Sequence, residues 1–318
     1  MALLRVLAVA AGYYAAGRIG LLRQVAVEGA VVTPLWPATG VALACLLWMG
    51  TRIWPGIALG ALGVIATIAS VDLNSVFLLM GNTLAPVCSY LMLQYAGFRT
   101  ALDRVRDGVA LVFLGALGGM LISATVATCL LVLDAKLPLE SFGPVWTAWW
   151  VGDAMGVLVF TPLLLVLRRI RLPRTARRWA EAVALVVVAV PLTLVATRSS
   201  LGLLFLVFPL LIWAALRFQL AGSAPCALLV SGAGVWAATD HAGPFSGLSL
   251  MQGMVTLQAL NGSAALTALL LAAVVTEQAN MRARIEDACQ ELAEVVERLA
   301  PEENPDRWRV RGRGGSEG

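Results

Sequence analysis

Charge is what this chain has least of. Asp, Glu, Lys and Arg make up 13% of its 318 residues, while 59% are hydrophobic and the mean hydropathy is +0.84. A soluble domain of 33.5 kDa has only a core to bury, so this composition excludes one. Histidine occurs once, as His241 in the loop TDHAGPFSG, where titration near neutral pH is its only functional hint. The cysteines Cys45, Cys88, Cys129, Cys226 and Cys289 form no CxxC or other metal spacing, and most fall inside apolar runs. They read as small buried hydrophobes, so neither a disulfide framework nor a metal site is expected. No nucleophile motif is present, and no His and acid residues gather at one depth. An enzyme is therefore the least favoured class, with no catalytic residue to name and no cofactor expected. A net charge of +4 says little in so apolar a chain, and no nucleic-acid partner is expected.

Long apolar runs are what the sequence does have. Ten stretches read as spans: 3–23, 34–50, 54–71, 75–96, 108–133, 145–167, 180–197, 201–216, 222–238 and 254–275. Several are short, so eight full spans with partial ones also fits. The expected fold class is all-α, a polytopic transmembrane helical bundle of about 8–10 spans in contact with membrane lipid. The first run carries Arg18 and Arg23 and has no clear cleavage site, so it reads as a span and not as a signal peptide.

Sidedness follows from the arginines. The loop RRIRLPRTARRW is expected to be cytoplasmic, since inside loops collect Lys and Arg. Counting outward by parity puts Arg5, Arg52, Arg99, Arg104, Arg106, Arg217 and every arginine from Arg282 onward on the same side. Of the 23 basic residues, only Arg18, Arg23, Lys136 and Arg198 then lie on or near the outside. Both termini are expected inside, in the cytoplasmic membrane of a bacterium.

After Thr276 the composition turns charged. Met281, Ile285, Ala288, Leu292, Val295 and Leu299 step by four and three residues alternately, a short heptad seam ended by Pro301. It reads either as a helix that leaves the membrane and solvates itself or as a coiled coil. The coiled-coil reading couples it to a cytoplasmic signalling protein or to a second copy through 277–300. The expected organisation is a membrane domain over 1–276, a coiled-coil-like helix over 277–300 and a disordered basic tail over 301–318.

The segment WWVGDAMGVLVFTP places Asp153 inside a span. A carboxylate near the bilayer centre costs about 2.5–3.5 kcal/mol on insertion scales. At about 1.5 Å per residue, Asp153, Asn82 in GNT, Asn261 in NGSAAL and Arg18 all fall in one slab roughly 10 Å below the outer surface. The expectation is an outward-facing polar pocket for a small ligand or lipid. Its lining would be Asp153, Asn82, Asn261, Trp149 and Trp150, with Arg18 as counter-charge. The plainer alternative is a structural ion pair and two interhelical hydrogen bonds of about 0.6 kcal/mol each. PLWPATG and RIWPG bracket the second span. Pro37 and Pro55 read as helix starters, Trp36 and Trp54 as interface anchors and Arg52 as a snorkelling anchor. The other reading of the second span is a half helix whose N-terminus points into the pocket.

Three segments carry a family resemblance: VVTPLWPATGVALACLLWMGTRIWPGIALGA, GNTLAPVCSYLMLQYAGFR and WWVGDAMGVLVFTPLLL. The pattern WP-x-x-G, RxWPG and WWxGD-x-x-G, with Trp36, Pro37, Gly40, Arg52, Trp54, Pro55, Gly56, Gly152 and Gly156 as its fixed points, resembles the bacterial membrane-associated sensor domains of the first MASE class. The resemblance covers about residues 10–276. It implies an integral-membrane sensory module of the kind usually placed ahead of a kinase, cyclase or phosphatase. No motif of those enzymes follows Thr276, so signalling through a separate cytoplasmic chain is expected.

LLWMGTR and LIWAALR place a Trp four residues before an Arg on either side of the arginine loop. Each is followed by a Gly-rich span and then by GNT or NGS, which suggests a weak parallel repeat of spans 1–4 and 7–10. Three functions stay open: a sensor, favoured by the resemblance; a small-solute carrier or channel, favoured by the repeat and the acid; and a ligand-free membrane scaffold.

Overall fold

The computed structural model describes residues 2–68, 72–169 and 175–299. Arg171 and Arg174 of the arginine loop, the end of the third expected span at residues 69–71, and the expected tail over 301–318 lie outside the described residues. Within them, eight helices are long and apolar enough to cross a bilayer, and two apolar helices are shorter.

Helix α1 (Ala2–Leu21) leads into a two-stranded antiparallel hairpin, β1 (Val25–Val27) and β2 (Ala30–Val32), with Val25 opposite Val32 and Val27 opposite Ala30. The span count had passed over it. Its turn residues Glu28 and Gly29 both take positive φ, 49° and 84°, the backbone that a two-residue hairpin turn requires. Residues 33–36 then lead back through a bend at Pro34 to Trp36, which is extended at φ −108°, ψ 90°. The proline that follows bars Trp36 from helix and occupies N1 of α2 (Pro37–Met49), where an N–H has no helical partner anyway. Thirteen residues span only about 20 Å, short of the roughly 30 Å of hydrocarbon. The expected span 34–50 is thus a short helix entered through a non-helical segment. Gly50 at φ 76° ends it, and a 3₁₀ turn with Arg52 leads into α3 (Trp54–Ile68).

Helix α4 (Leu73–Tyr95) begins at a capping box: Asp72 accepts from the Ser75 backbone N–H, and the Ser75 hydroxyl accepts from the Asp72 N–H. The fifth span joins α5 (Val105–Ala110) and α6 (Gly119–Leu133) through a π-helical stretch, Leu111–Gly118. There the Ser89 hydroxyl donates to the Gly115 carbonyl at 2.8 Å, so the wide turn gains a partner from α4. Helix α7 (Phe142–Leu167) is the most enclosed span and packs against α2, α6 and α10.

The remaining elements repeat the opening order. They are α8 (Ala176–Arg198), a 3₁₀ turn, the short α9 (Val207–Phe218), a positive-φ corner at Gln219, α10 (Leu220–Thr239) and α11 (Leu250–Leu299). The chain divides into two units within α11, at Thr276. In the second unit the seam residues Met281, Ile285, Leu292 and Val295 are exposed.

Candidate functional site

The two Gly-bearing motifs of α2 and α7 meet face to face, and this seam sets the position of Asp153. The Trp36 N–H donates to the Gly152 carbonyl at 3.0 Å. The Thr39 hydroxyl donates to the Asp153 carbonyl at 3.0 Å, and Thr161 to the Gly40 carbonyl at 3.1 Å. A Cβ on Gly156 would fall on the Trp36 carbonyl oxygen, one on Gly40 on the Gly156 carbonyl, and one on Gly152 on the Thr33 carbonyl. Glycine is required at all three because backbone meets backbone. Gly56 and Gly60 serve α1 and α3 in the same way, facing the carbonyls of Val6 and Ala10.

This seam turns the Asp153 side chain toward a cavity of about 200 Å³ between α1, the hairpin, α3, α4 and α7. Asp153 is 2% exposed, and its Oδ2 accepts a hydrogen bond from the Ser123 hydroxyl of α6. Tyr13 lines the same cavity at 1% exposure, and its hydroxyl has no hydrogen-bond partner. Asn82, Thr33, Trp36 and Trp149 complete the polar and aromatic part of the wall, and the rest is aliphatic. Val31 and Ile68 both line the cavity and are exposed, which marks its rim between the hairpin and the end of α3.

Of the residues expected to meet, the fold brings together Asp153, Asn82 and Trp149. Arg18 is not among the lining residues: it is exposed, and no ion pair joins it to Asp153 among the described residues. Trp150 points elsewhere, donating its indole N–H to the Leu117 carbonyl at 2.8 Å and stacking on Trp146. Asn261 is fully enclosed on α11, beside Gly234 of α10, with both ends of its amide unpartnered. Trp54 is exposed, as an interface anchor would be, and so is Arg52. Trp36 is no such anchor, since its ring packs against Gly17 and Gly20 of α1. Tyr13 and Ser123 were missed. A phenol midway along an apolar helix was a usable signal for the first, whereas Ser123 in LISATVATC gave none.

A second enclosed acid, Asp107 on α5, was also passed over. At 2% exposure it accepts the Arg99 backbone N–H at 3.1 Å and so holds the loop between α4 and α5. At the hairpin end, Arg23 pairs with Asp240 at 2.8 Å and lies 3.9 Å over the Trp236 ring, while Arg198 reaches Asp240 at 3.6 Å. Among the described residues no three His, Cys, Asp or Glu side chains are grouped to hold a metal ion.

The fold and this seam define an integral-membrane helical bundle in which two interlocking glycine motifs set the position of a cavity-facing acid, Asp153. The model of the MASE1 family matches residues 5–279, and the chain belongs to that family of membrane-associated sensor domains. No curated protein matches the chain. No solved structure matches it either.

Proposed function

We propose that the chain is a receptor module of the bacterial cytoplasmic membrane, with both termini inside. It binds a small ligand in the cavity at Asp153 and signals through the helix after Thr276 to a cytoplasmic protein. The observation that carries this reading is the pairing of two enclosed polar groups with open space: the Asp153 carboxylate and the unpartnered Tyr13 hydroxyl line one cavity. Polar groups inside a bilayer are costly, and a ligand that satisfies them accounts for their presence. Support for the output comes from the exposed apolar seam at Met281, Ile285, Leu292 and Val295, which a second chain would cover.

The test is a thermal-shift screen of the purified protein against metabolites and lipids, repeated on Asp153→Asn. A ligand at a hundredfold excess over Kd adds about 2.7 kcal/mol of apparent stability. Hits that stabilise the native protein and not the folded variant support the receptor. A screen without hits, with the variant merely less stable, leaves Asp153 a structural residue and favours the scaffold. A carrier is the second reading, favoured by the shared element order of α1–α4 and α8–α11. Solute uptake into vesicles containing the protein would establish it in place of the receptor.

A further inference from the structure

Resting on the reading of this cavity as the ligand site, we infer that its ligand is a small monocationic amine carrying one apolar group, with the ammonium at Asp153. The charge argument comes first. Asp153 is the only charged side chain among the lining residues, and no Arg or Lys pairs with it among the described residues. Its Oδ2 accepts the Ser123 hydroxyl, and no protein donor to Oδ1 is present among them. An acid inside a bilayer is normally paired with an opposite charge. No such charge stands beside it among the described residues, and a cationic ligand would fill that place.

The acceptors around the acid agree. The Tyr13 oxygen is enclosed and unpartnered, and Asn82 lines the same cavity from α4. An ammonium has three N–H donors and no acceptor, which suits a carboxylate, a phenol oxygen and an amide oxygen. Tyr13, Trp36 and Trp149 add aromatic surface, the kind of wall that attracts a cation once water is excluded.

Size and the remaining lining fix the rest of the ligand. An apolar cavity of about 150 Å³ holds benzene. The roughly 200 Å³ here takes one ring or a short branched chain with a two-carbon arm. Leu21, Ile65 and Leu78 present only hydrocarbon to it. A dication would leave its second charge unpaired, an anion would meet the carboxylate, and a metal ion would find no group of three His, Cys, Asp or Glu among the described residues.

Three probes of one shape decide the matter: 2-phenylethylamine, 2-phenylethanol and phenylacetate. Each is titrated into the full chain in nanodiscs, read by equilibrium dialysis and thermal shift. The expected result is at least tenfold tighter binding of the amine than of the alcohol, and no binding of phenylacetate. In Asp153→Asn the amine's advantage should fall below about threefold. Trp149→Leu keeps the acid and serves if Asp153→Asn fails to fold; it should weaken the amine more than the alcohol. If the alcohol binds as well as the amine, with Asp153→Asn indifferent, the amine class is overturned while the ligand site stands. If none of the three binds, the amine class is overturned and the receptor reading loses its support in this cavity as well.

Discussion

The stretches α1–α4 and α8–α11 share an order: a long helix, a short apolar helix, a positive-φ corner, a further helix and a final long one. They differ in what surrounds their intramembrane polar residue. In the first, Asn82 lines an open cavity together with Asp153 and Tyr13. In the second, Asn261 is enclosed with its amide unpartnered, on the α11 face whose Leu257 and Leu260 lie against Gly234. The hairpin makes part of the difference. In the first stretch it separates α1 from α2 and roofs the cavity with Val31 and Val32, whereas only a short 3₁₀ turn joins α8 to α9. Similar sequence signals thus mark a cavity wall in one place and a packed seam in the other.

The sharpest way to break the comparison is at the glycines. Gly156→Val puts carbon on the Trp36 carbonyl, where backbone cannot yield, whereas Gly234→Ala meets side chains: Leu260 and Leu257 at 3.1 and 3.3 Å and the Asn261 amide oxygen at 3.7 Å. The first should cost about 3 kcal/mol or more and the second under about 1.5 kcal/mol. Thermal unfolding of both variants in one detergent checks this, and equal losses would mean that the α2–α7 seam is not special.

A smaller effect separates the two polar residues. Asn261→Leu removes an unpartnered amide and should be neutral or stabilising by about 1 kcal/mol. Asp153→Ala should destabilise slightly, since the Ser123 hydroxyl loses one of its two acceptors and keeps the Met120 carbonyl at 3.1 Å, and should abolish any ligand-induced shift. A strongly destabilising Asn261→Leu would show that Asn261 has a partner after all, such as ordered water.

Asp240→Asn comes next in size. It loosens the contacts of Arg23 and Arg198 and with them a tie between the two stretches. These groups are about one-third to one-half exposed, so the loss should be about 0–1 kcal/mol and should shrink further in high salt.

The smallest effect concerns the helix starts. Helix α4 begins at Asp72 and Ser75, and α11 at Ser249 and Gln252, whose box is neutral. Hydrogen bonds from the Ser75 hydroxyl and backbone N–H hold the Asp72 carboxyl below its usual range. A depressed folded-state value means that the contribution of Asp72 is fully present above the unfolded value near 4 and is lost as pH falls through the lower folded value. Hydrogen exchange should therefore show the start of α4 fraying in acid while the start of α11 does not. Asp72→Asn should remove that difference.

Much of the site was legible because polar residues inside spans stand out against apolar neighbours. Asp153, Asn82 and Trp149 could be named for that reason, as could the glycines of WP-x-x-G and WWxGD-x-x-G. Arg18 was given the wrong partner because depth along a helix says nothing about rotation around it. Arg18 and Tyr13 lie five residues apart, and the helix turns one outward and the other into the cavity. The hairpin escaped because its alternating valines also pass as the flank of a span, and only the Glu28–Gly29 turn reveals it.

Composition, apolar run length and the placement of arginine determined that this is a polytopic helical membrane protein, since each acts through transfer energies that need no knowledge of neighbours. The tertiary structure alone decided which enclosed polar groups share open space. That depends on how closely helices approach, through Gly40, Gly152 and Gly156, and on the hairpin, whose Val31 and Val32 line the cavity.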